Sequence, residues 1–125
     1  MFENLLVIAI GGAFGAVFRQ LTAQSIYQLT GQKFPYGILV VNVLGSFLIG
    51  LLAVIFMDRF VESATLRAAL LVGFLGSFTT FSTFSIDTIN LFEQGNIMLA
   101  VLYVLSSVIL CLMATFIGLF IGRNI

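Results

Sequence analysis

Charge is scarce in this sequence of 125 residues: only 8% are Asp, Glu, Lys or Arg, where soluble domains carry about a quarter. Histidine is absent, which excludes an imidazole proton relay and a histidine-based metal site. The single cysteine, Cys111, excludes an intrachain disulfide. Five basic residues balance five acidic ones, so the net charge gives no reason to expect nucleic acid as a partner.

Hydrophobic residues make up 61% of the sequence, and its mean hydropathy is +1.21. A helix needs roughly 20 largely apolar residues to cross the hydrocarbon core of a bilayer. Segments of that length lie at residues 2–27, 35–57, 66–92 and 97–122, with short polar turns between them. We therefore expect an all-α membrane protein with four transmembrane helices that form a single domain over residues 1–125.

The basic residues give only a weak signal for orientation in the membrane. Arg59, Arg67 and Arg123 fall on the side of the two termini. Lys33 falls on the other side, together with Arg19 if its side chain reaches that surface. This bias is small by the positive-inside rule, so we expect that the chain can insert in both orientations.

Small residues recur four positions apart on three of the predicted helices. Such pairs let membrane helices approach closely, either within one chain or between two chains. Because four helices enclose little volume, we also expect an oligomer. The pairs are Gly11 with Gly15, Gly12 with Ala16, Ser46 with Gly50, and Gly118 with Gly122.

Residues 73–85, with the sequence GFLGSFTTFSTFS, place glycine and hydroxyl residues inside the third predicted helix. An unpaired backbone N–H or C=O group costs several kcal/mol in hydrocarbon. A break at membrane depth is therefore expected only where it is buried in protein or lines a polar path. We predict that the third helix is broken near its middle and that the functional site lies there.

Three polar side chains lie inside predicted helices away from this segment. Arg19 is a cation deep in the first helix, which indicates either a functional charge or a side chain that extends to the interface. Asp87 could pair with Arg19 of its own or of a partner chain, or lie among the headgroups. Asn42 needs hydrogen-bond partners in hydrocarbon: an interhelical bond is the simpler interpretation, and donation to a passing anion is the functional one.

Phe81 and Phe84 lie one helical turn apart, with Ser82 and Thr83 between them. An aromatic ring has a positive edge. Two ring edges that converge on a narrow path would attract an anion and repel a cation. The hydroxyl neighbours favour this interpretation over simple packing.

Tyr103, Ser107 and Cys111 follow one another at intervals of four on the fourth predicted helix, so they share one face. Hydroxyl groups on such a stripe can donate hydrogen bonds to an anion. For Ser107 taken alone, a hydrogen bond to the carbonyl of the residue four positions earlier is the better interpretation.

The groups that an enzyme requires are missing from the sequence. There is no histidine, no pair of carboxylates and no nucleophile beside a base, so we expect no enzymatic activity. A proton pump would need a titratable carboxylate near the bilayer midplane. The acidic residues Glu3, Asp58, Glu62 and Glu93 instead fall at the ends of predicted helices.

Residues 11–19 (GGAFGAVFR), 41–50 (VNVLGSFLIG) and 73–85 together resemble the Fluc (CrcB) family of fluoride channels, in order and in spacing. The resemblance extends over all four predicted helices. It implies a fluoride-selective channel that passively exports the toxic anion across the bacterial inner membrane. It also implies a dual-topology antiparallel homodimer with two pores, each built from both subunits.

The resemblance also implies roles for individual residues. The third position of the family's polar track is usually serine, and here it is Cys111, whose thiol is a weak donor. The carbonyls of Gly76 and Thr79 correspond to those that hold a central sodium ion, and Arg19 corresponds to an arginine of the aqueous vestibule. The expected pore-lining residues are Phe81, Phe84, Asn42, Ser82, Thr83, Tyr103 and Ser107.

Two other functions remain as alternatives. A small multidrug-type proton-coupled exchanger has a similar size and topology, but it requires a glutamate within the first helix and usually tryptophan nearby. Here Glu3 lies at the terminus and tryptophan is absent. A non-transporting assembly subunit would explain the pairs of small residues, but it would leave residues 73–85 unexplained.

Overall fold

The computed structural model describes residues 2–59 and 63–125, without the side chains of residues 58 and 59. Helix α1 spans Phe2–Thr30, and α2 spans Tyr36–Val54 with a wider π-helical continuation over Ile55–Arg59. The next segment comprises α3 (Ala64–Arg67), a π-helical stretch over Ala68–Leu75, and α4 (Gly76–Phe78). Helix α5 spans Phe81–Glu93, and α6 spans Ile97–Asn124.

Four stretches of the described chain are long and apolar enough to cross a membrane: Phe2–Thr30, Tyr36–Met57, Ala64–Glu93 and Ile97–Asn124. Their ends differ by at most three residues from those of the segments predicted from the sequence. The prediction of an all-α protein with four long apolar helices is therefore confirmed. Three of the charged groups discussed above lie outside the described part of the structure. They are the side chains of Asp58 and Arg59 and the whole of residue Glu62.

The helices pack in two close pairs, α1 along residues 64–78 and α2 along α6. Along the first pair, Gly15 meets Phe74 and Arg19 reaches Ser77. In the second pair, Thr115 reaches Ser46 and Gly122 meets Val54. Because the residue numbers rise together along each pair, its two members run parallel, as alternate spans of a serpentine chain must.

Glycine makes both of these close approaches possible. A Cβ atom on Gly15 would collide with the carbonyl of Phe74, and one on Gly118 would collide with the carbonyl of Phe47. Both obstacles are backbone atoms, which cannot rotate away. The predicted pairs of small residues therefore serve packing within the chain, as one of their two interpretations held.

The backbone leaves helical geometry between α4 and α5. Thr79 has a ψ angle of 153°, and Thr80 has a φ angle of −148° and a ψ angle of 120°, both extended conformations. Helix α2 lies directly against these two residues at Gly45, where a Cβ atom would collide with the Thr79 methyl group. The absence of a side chain at Gly45 thus brings α2 within reach of the extended backbone.

One chain leaves much of its apolar surface uncovered. The largest fully buried side chains among the described residues are Tyr103, Leu75 and Val41. By contrast, Phe81 is 78% exposed and Phe116 is 69% exposed. In a membrane protein, apolar surface of this kind faces lipid or another protein chain.

Candidate functional site

A groove of about 380 Å³ runs between α2, the extended residues Thr79 and Thr80, α5 and α6. Its wall is mainly apolar, and a few polar atoms face it. Among its lining residues there is no Asp, Glu, Lys or Arg. Those that carry a polar atom or an aromatic ring are Asn42, Ser46, Thr79, Thr80, Phe81, Phe84, Ser107 and Cys111.

Asn42 bonds to the backbone of Thr80 from the neighbouring helix. Its Nδ2 donates to the Thr80 carbonyl at 3.0 Å, and its Oδ1 accepts from the Thr80 N–H at 2.8 Å. The interhelical hydrogen bond expected for this amide is therefore confirmed. The same side chain lines the groove, and an amide nitrogen carries two hydrogens, so one donor remains beyond the Thr80 carbonyl.

Thr80 also caps the helix that follows it. Its Oγ1 accepts from the N–H of Thr83 at 3.2 Å, as expected for an N-cap residue. The same oxygen lies 3.1 Å from Oγ1 of Thr83 and 3.4 Å from Oγ of Ser82. Three of the hydroxyl groups in the TTFST stretch thus form one local cluster, which holds the start of α5.

These bonds divert N–H groups from the carbonyls that they would serve in an unbroken helix. There, the N–H of Thr80 would donate to the Gly76 carbonyl, and that of Thr83 to the Thr79 carbonyl. Here those N–H groups donate to Asn42 and to the Thr80 hydroxyl. The Gly76 and Thr79 carbonyls therefore lose their usual helical donors.

Arg19 serves a third carbonyl of this region. Its guanidinium donates to the Ser77 carbonyl at 3.0 Å across the contact between α1 and α4. Asp87 has a different partner, because its Oδ2 lies 3.5 Å from the Tyr103 hydroxyl, which donates to it. Of the partners left open for Asp87, Arg19 of the same chain is therefore not the one observed.

The aromatic rings form a continuous chain from the surface to the core. The Phe81 and Phe84 ring centroids lie 5.3 Å apart with the planes tilted by 45°. Phe84 lies 5.1 Å from the ring of Tyr103, which is fully buried. Phe81 is mostly exposed, so one side of this ring pair is open in a single chain.

Ser107 carries the one buried side-chain polar atom without a hydrogen-bond partner among the described residues. It is only 6% exposed and lines the groove. The predicted back-bond to the residue four positions earlier is wrong, because the Ser107 hydroxyl makes no hydrogen bond to the Tyr103 carbonyl or to any other described residue. Ser107 thus brings an unpaired, buried hydroxyl to the wall of the groove.

The structure separates the predicted pore residues into two groups. Asn42, Phe81, Phe84 and Ser107 line the groove together. Tyr103 is buried behind Phe84, Ser82 is exposed, and neither is among the lining residues of the groove. Thr83 lines a second cavity of about 570 Å³, with polar side chains of α1 and with Asp87.

Thr80 is a groove residue that the sequence argument did not single out, and its partnership with Asn42 was not predicted. A signal for it exists in the sequence. A threonine directly before an apolar helical run is a typical N-cap, and the break was placed within the same stretch.

Known proteins match nearly the whole length of this chain, including the regions that form the groove. The profile of the family described as CrcB-like protein, Camphor Resistance (CrcB), matches residues 6–119. A relative from Magnetococcus marinus is 49% identical over 94% of this chain and 96% of its own length. One from Agrobacterium fabrum is 46% identical over 98% of both chains.

A relative from Methylococcus capsulatus is also 49% identical, and the match covers 98% of this chain but 54% of that longer protein. All three relatives are named fluoride-specific ion channel FluC. The expected resemblance is confirmed by a match over nearly the whole length, and this chain belongs to the CrcB family.

Proposed function

We propose that this chain is a fluoride-specific ion channel and that the ion passes along the groove between α2, α5 and α6. The chain is a multi-pass membrane protein by its four apolar helices, and its relatives are named fluoride channels. The observation that carries the assignment of the path is Ser107. A buried hydroxyl without a protein partner is rare, and this one belongs to a residue that lines the groove, so it has a donor to offer to an ion.

The chemistry of the groove suits a small anion that must give up its water. The Ser107 hydroxyl and the remaining Asn42 hydrogen are neutral donors, and the rings of Phe81 and Phe84 can add their positive edges. No charged side chain is among the described residues that line the groove, so an ion would meet several weak sites instead of one strong one. Several weak sites let an ion enter and also leave.

A single chain provides only part of such a path, because the Phe81 ring is mostly exposed. The function proposed here therefore includes a second copy. In an antiparallel homodimer with dual topology, the broken third helix of each chain would close the groove of the other, which gives two pores. We place this dimer in the bacterial inner membrane.

The Gly76 and Thr79 carbonyls, whose usual helical donors bond elsewhere, suit a structural sodium ion between the two copies. Oxygen atoms of backbone carbonyls are good ligands for hard cations. Gly76 and Thr79 would each contribute one, so that two copies would provide four. A Cβ built on Gly76 would meet no atom closer than the Leu71 carbonyl oxygen at 3.9 Å, apart from the adjoining backbone of its own helix. Bound sodium would neutralise the converging dipoles and link the chains.

The small multidrug-type exchanger is not favoured. It needs an acidic group within the first helix, whereas Glu3 is the only acidic residue of α1 and lies exposed in its first turn.

Selectivity tests the proposed function. Purified protein in liposomes should release fluoride down its gradient and retain chloride, because the donors of the groove are arranged for a very small anion. Ion-selective electrodes measure both ions in the same vesicles, and vesicles without protein give the leak. Comparable efflux of chloride would refute a fluoride-specific channel.

The ring pair has its own test in the same assay. Phe81→Ile and Phe84→Ile keep apolar bulk but remove the positive ring edge, and each should lower fluoride efflux at least about tenfold, a loss of about 1.4 kcal/mol. Phe116→Ile is the matched control, since Phe116 is exposed on α6 and is not among the groove residues. If all three variants conduct like the parent, the rings only pack.

Dual topology predicts labelling from both sides of the membrane. A Cys111→Ser variant with one cysteine added at the C-terminus should react with a membrane-impermeant maleimide partly in intact cells and fully after permeabilisation. A fraction near one half is expected for an antiparallel dimer. Labelling of all molecules from one side, or of none, would contradict the arrangement.

A structural sodium ion predicts that activity requires sodium but is not driven by it. Replacing all sodium with N-methyl-D-glucamine on both sides should lower fluoride efflux, and restoring equal sodium on both sides should recover it. Efflux should not follow an imposed sodium gradient. Full activity in rigorously sodium-free vesicles would rule out the site.

A further inference from the structure

Asn42 and Thr80 are joined by two hydrogen bonds that run in opposite directions. The side chain accepts from the Thr80 N–H at 2.8 Å and donates to the Thr80 carbonyl at 3.0 Å. One amide on α2 thus serves both backbone polar groups of one residue 38 positions later in the chain. Thr80 is buried and extended, so neither group continues the helical ladder of α4.

This pair of bonds fixes where α5 begins. Thr80 is the N-cap of α5, and the next residue is Phe81, the first residue of that helix. If the chain slipped by one residue, so that Phe81 took the N-cap position, the side chains of α5 would turn by about 100° around the helix axis. That turn would carry Phe81 and Phe84 away from the groove. The position of both rings therefore depends on the residue that holds Thr80.

The partners also fix the orientation of the amide. A backbone N–H can only donate and a carbonyl can only accept, so Oδ1 must face the first and Nδ2 the second. An aspartate at this position would place an oxygen against the Thr80 carbonyl. A leucine would leave both backbone groups without a partner. Among the common short side chains, asparagine supplies an acceptor and a donor side by side.

We propose that Asn42 is a positioning residue that holds the extended backbone at Thr80 and thereby sets the direction of the Phe81 and Phe84 rings. This role is separate from any contact between Asn42 and an ion. Its consequence for transport rests on the proposed function, but the hold on Thr80 does not. Both can therefore be tested on the same protein.

Amide hydrogen–deuterium exchange tests the hold directly. The full-length protein in liposomes, in buffer with sodium and without fluoride, is compared with Asn42→Leu and Ser107→Ala. Loss of both bonds should speed exchange of the peptide over residues 78–84 at least about tenfold in Asn42→Leu. Peptides from α1 and α6 should exchange as in the parent. Ser107→Ala, which removes a groove hydroxyl that bonds to no described residue, should leave residues 78–84 unchanged.

Each outcome decides the proposal. Local acceleration confined to residues 78–84 supports it, whereas acceleration over the whole protein shows general loss of packing and overturns it. Unchanged exchange with reduced fluoride efflux makes Asn42 a donor to the ion only. Unchanged exchange with unchanged efflux removes both roles.

If Asn42→Leu does not yield a folded dimer on size exclusion, Asn42→Ala is compared in its place, since it removes the same two atoms with less bulk. Absence of fluoride efflux from the parent protein would refute the proposed function and would leave the exchange result to judge the positioning role.

Discussion

A backbone N–H or C=O group at membrane depth has no water to bind, so it must find a partner within the protein. The structure around Thr79 and Thr80 follows from this constraint. The two extended residues interrupt the helical hydrogen bonds, and side chains bond to the backbone there instead. Asn42 of α2 accepts from the Thr80 N–H, Arg19 of α1 donates to the Ser77 carbonyl, and the Thr80 hydroxyl accepts from the Thr83 N–H. Helix α2 also packs closely on Thr79 at Gly45, where an added Cβ atom would collide with the Thr79 methyl group unless that side chain moved.

The polar groups that lack such partners determine what the site can bind. The carbonyls of Gly76 and Thr79 are without their helical donors, and the proposed sodium ion between two copies would supply a partner for them. On the groove side, the Ser107 hydroxyl has no hydrogen-bond partner among the described residues. Neutral donors and ring edges, with no charged side chain among the described lining residues, are the basis of the proposed path for a small anion. The interruption of the helix therefore accounts for both the proposed ion path and the proposed link between two chains.

The sequence predicts the parts of this account that depend on composition and spacing. Four apolar segments predict the four long helices, and the polar stretch at residues 73–85 points to the region where α4 ends and α5 begins. The 3.6-residue period brings Phe81 and Phe84 together. The interhelical bond of Asn42 was expected, but its partner Thr80 depends on how α2 lies against the extended residues, which no local pattern encodes.

Choices between competing partners were also beyond local reasoning. Ser106 and Ser107 are adjacent serines with the same back-bonding tendency, and only the surroundings decide that Ser106 bonds to the Leu102 carbonyl while Ser107 makes no back-bond. Ser82 and Thr83 belong to the same motif as the two rings. Successive helical residues point about 100° apart, however, so Thr83 faces the second cavity and Ser82 is exposed. Residues of the same sequence motif therefore lie on different faces of α5.

The central claim is that the unpaired hydroxyl in the groove replaces water around the passing ion. Ser106 provides a control one residue away, since its hydroxyl already donates to the Leu102 carbonyl at 2.6 Å. Fluoride efflux from liposomes that carry Ser107→Ala or Ser106→Ala is the most direct measurement. We expect Ser107→Ala to lower efflux about tenfold or more, as loss of one donor to an ion implies, and Ser106→Ala to match the parent. Equal efflux from Ser107→Ala and the parent would contradict the claim.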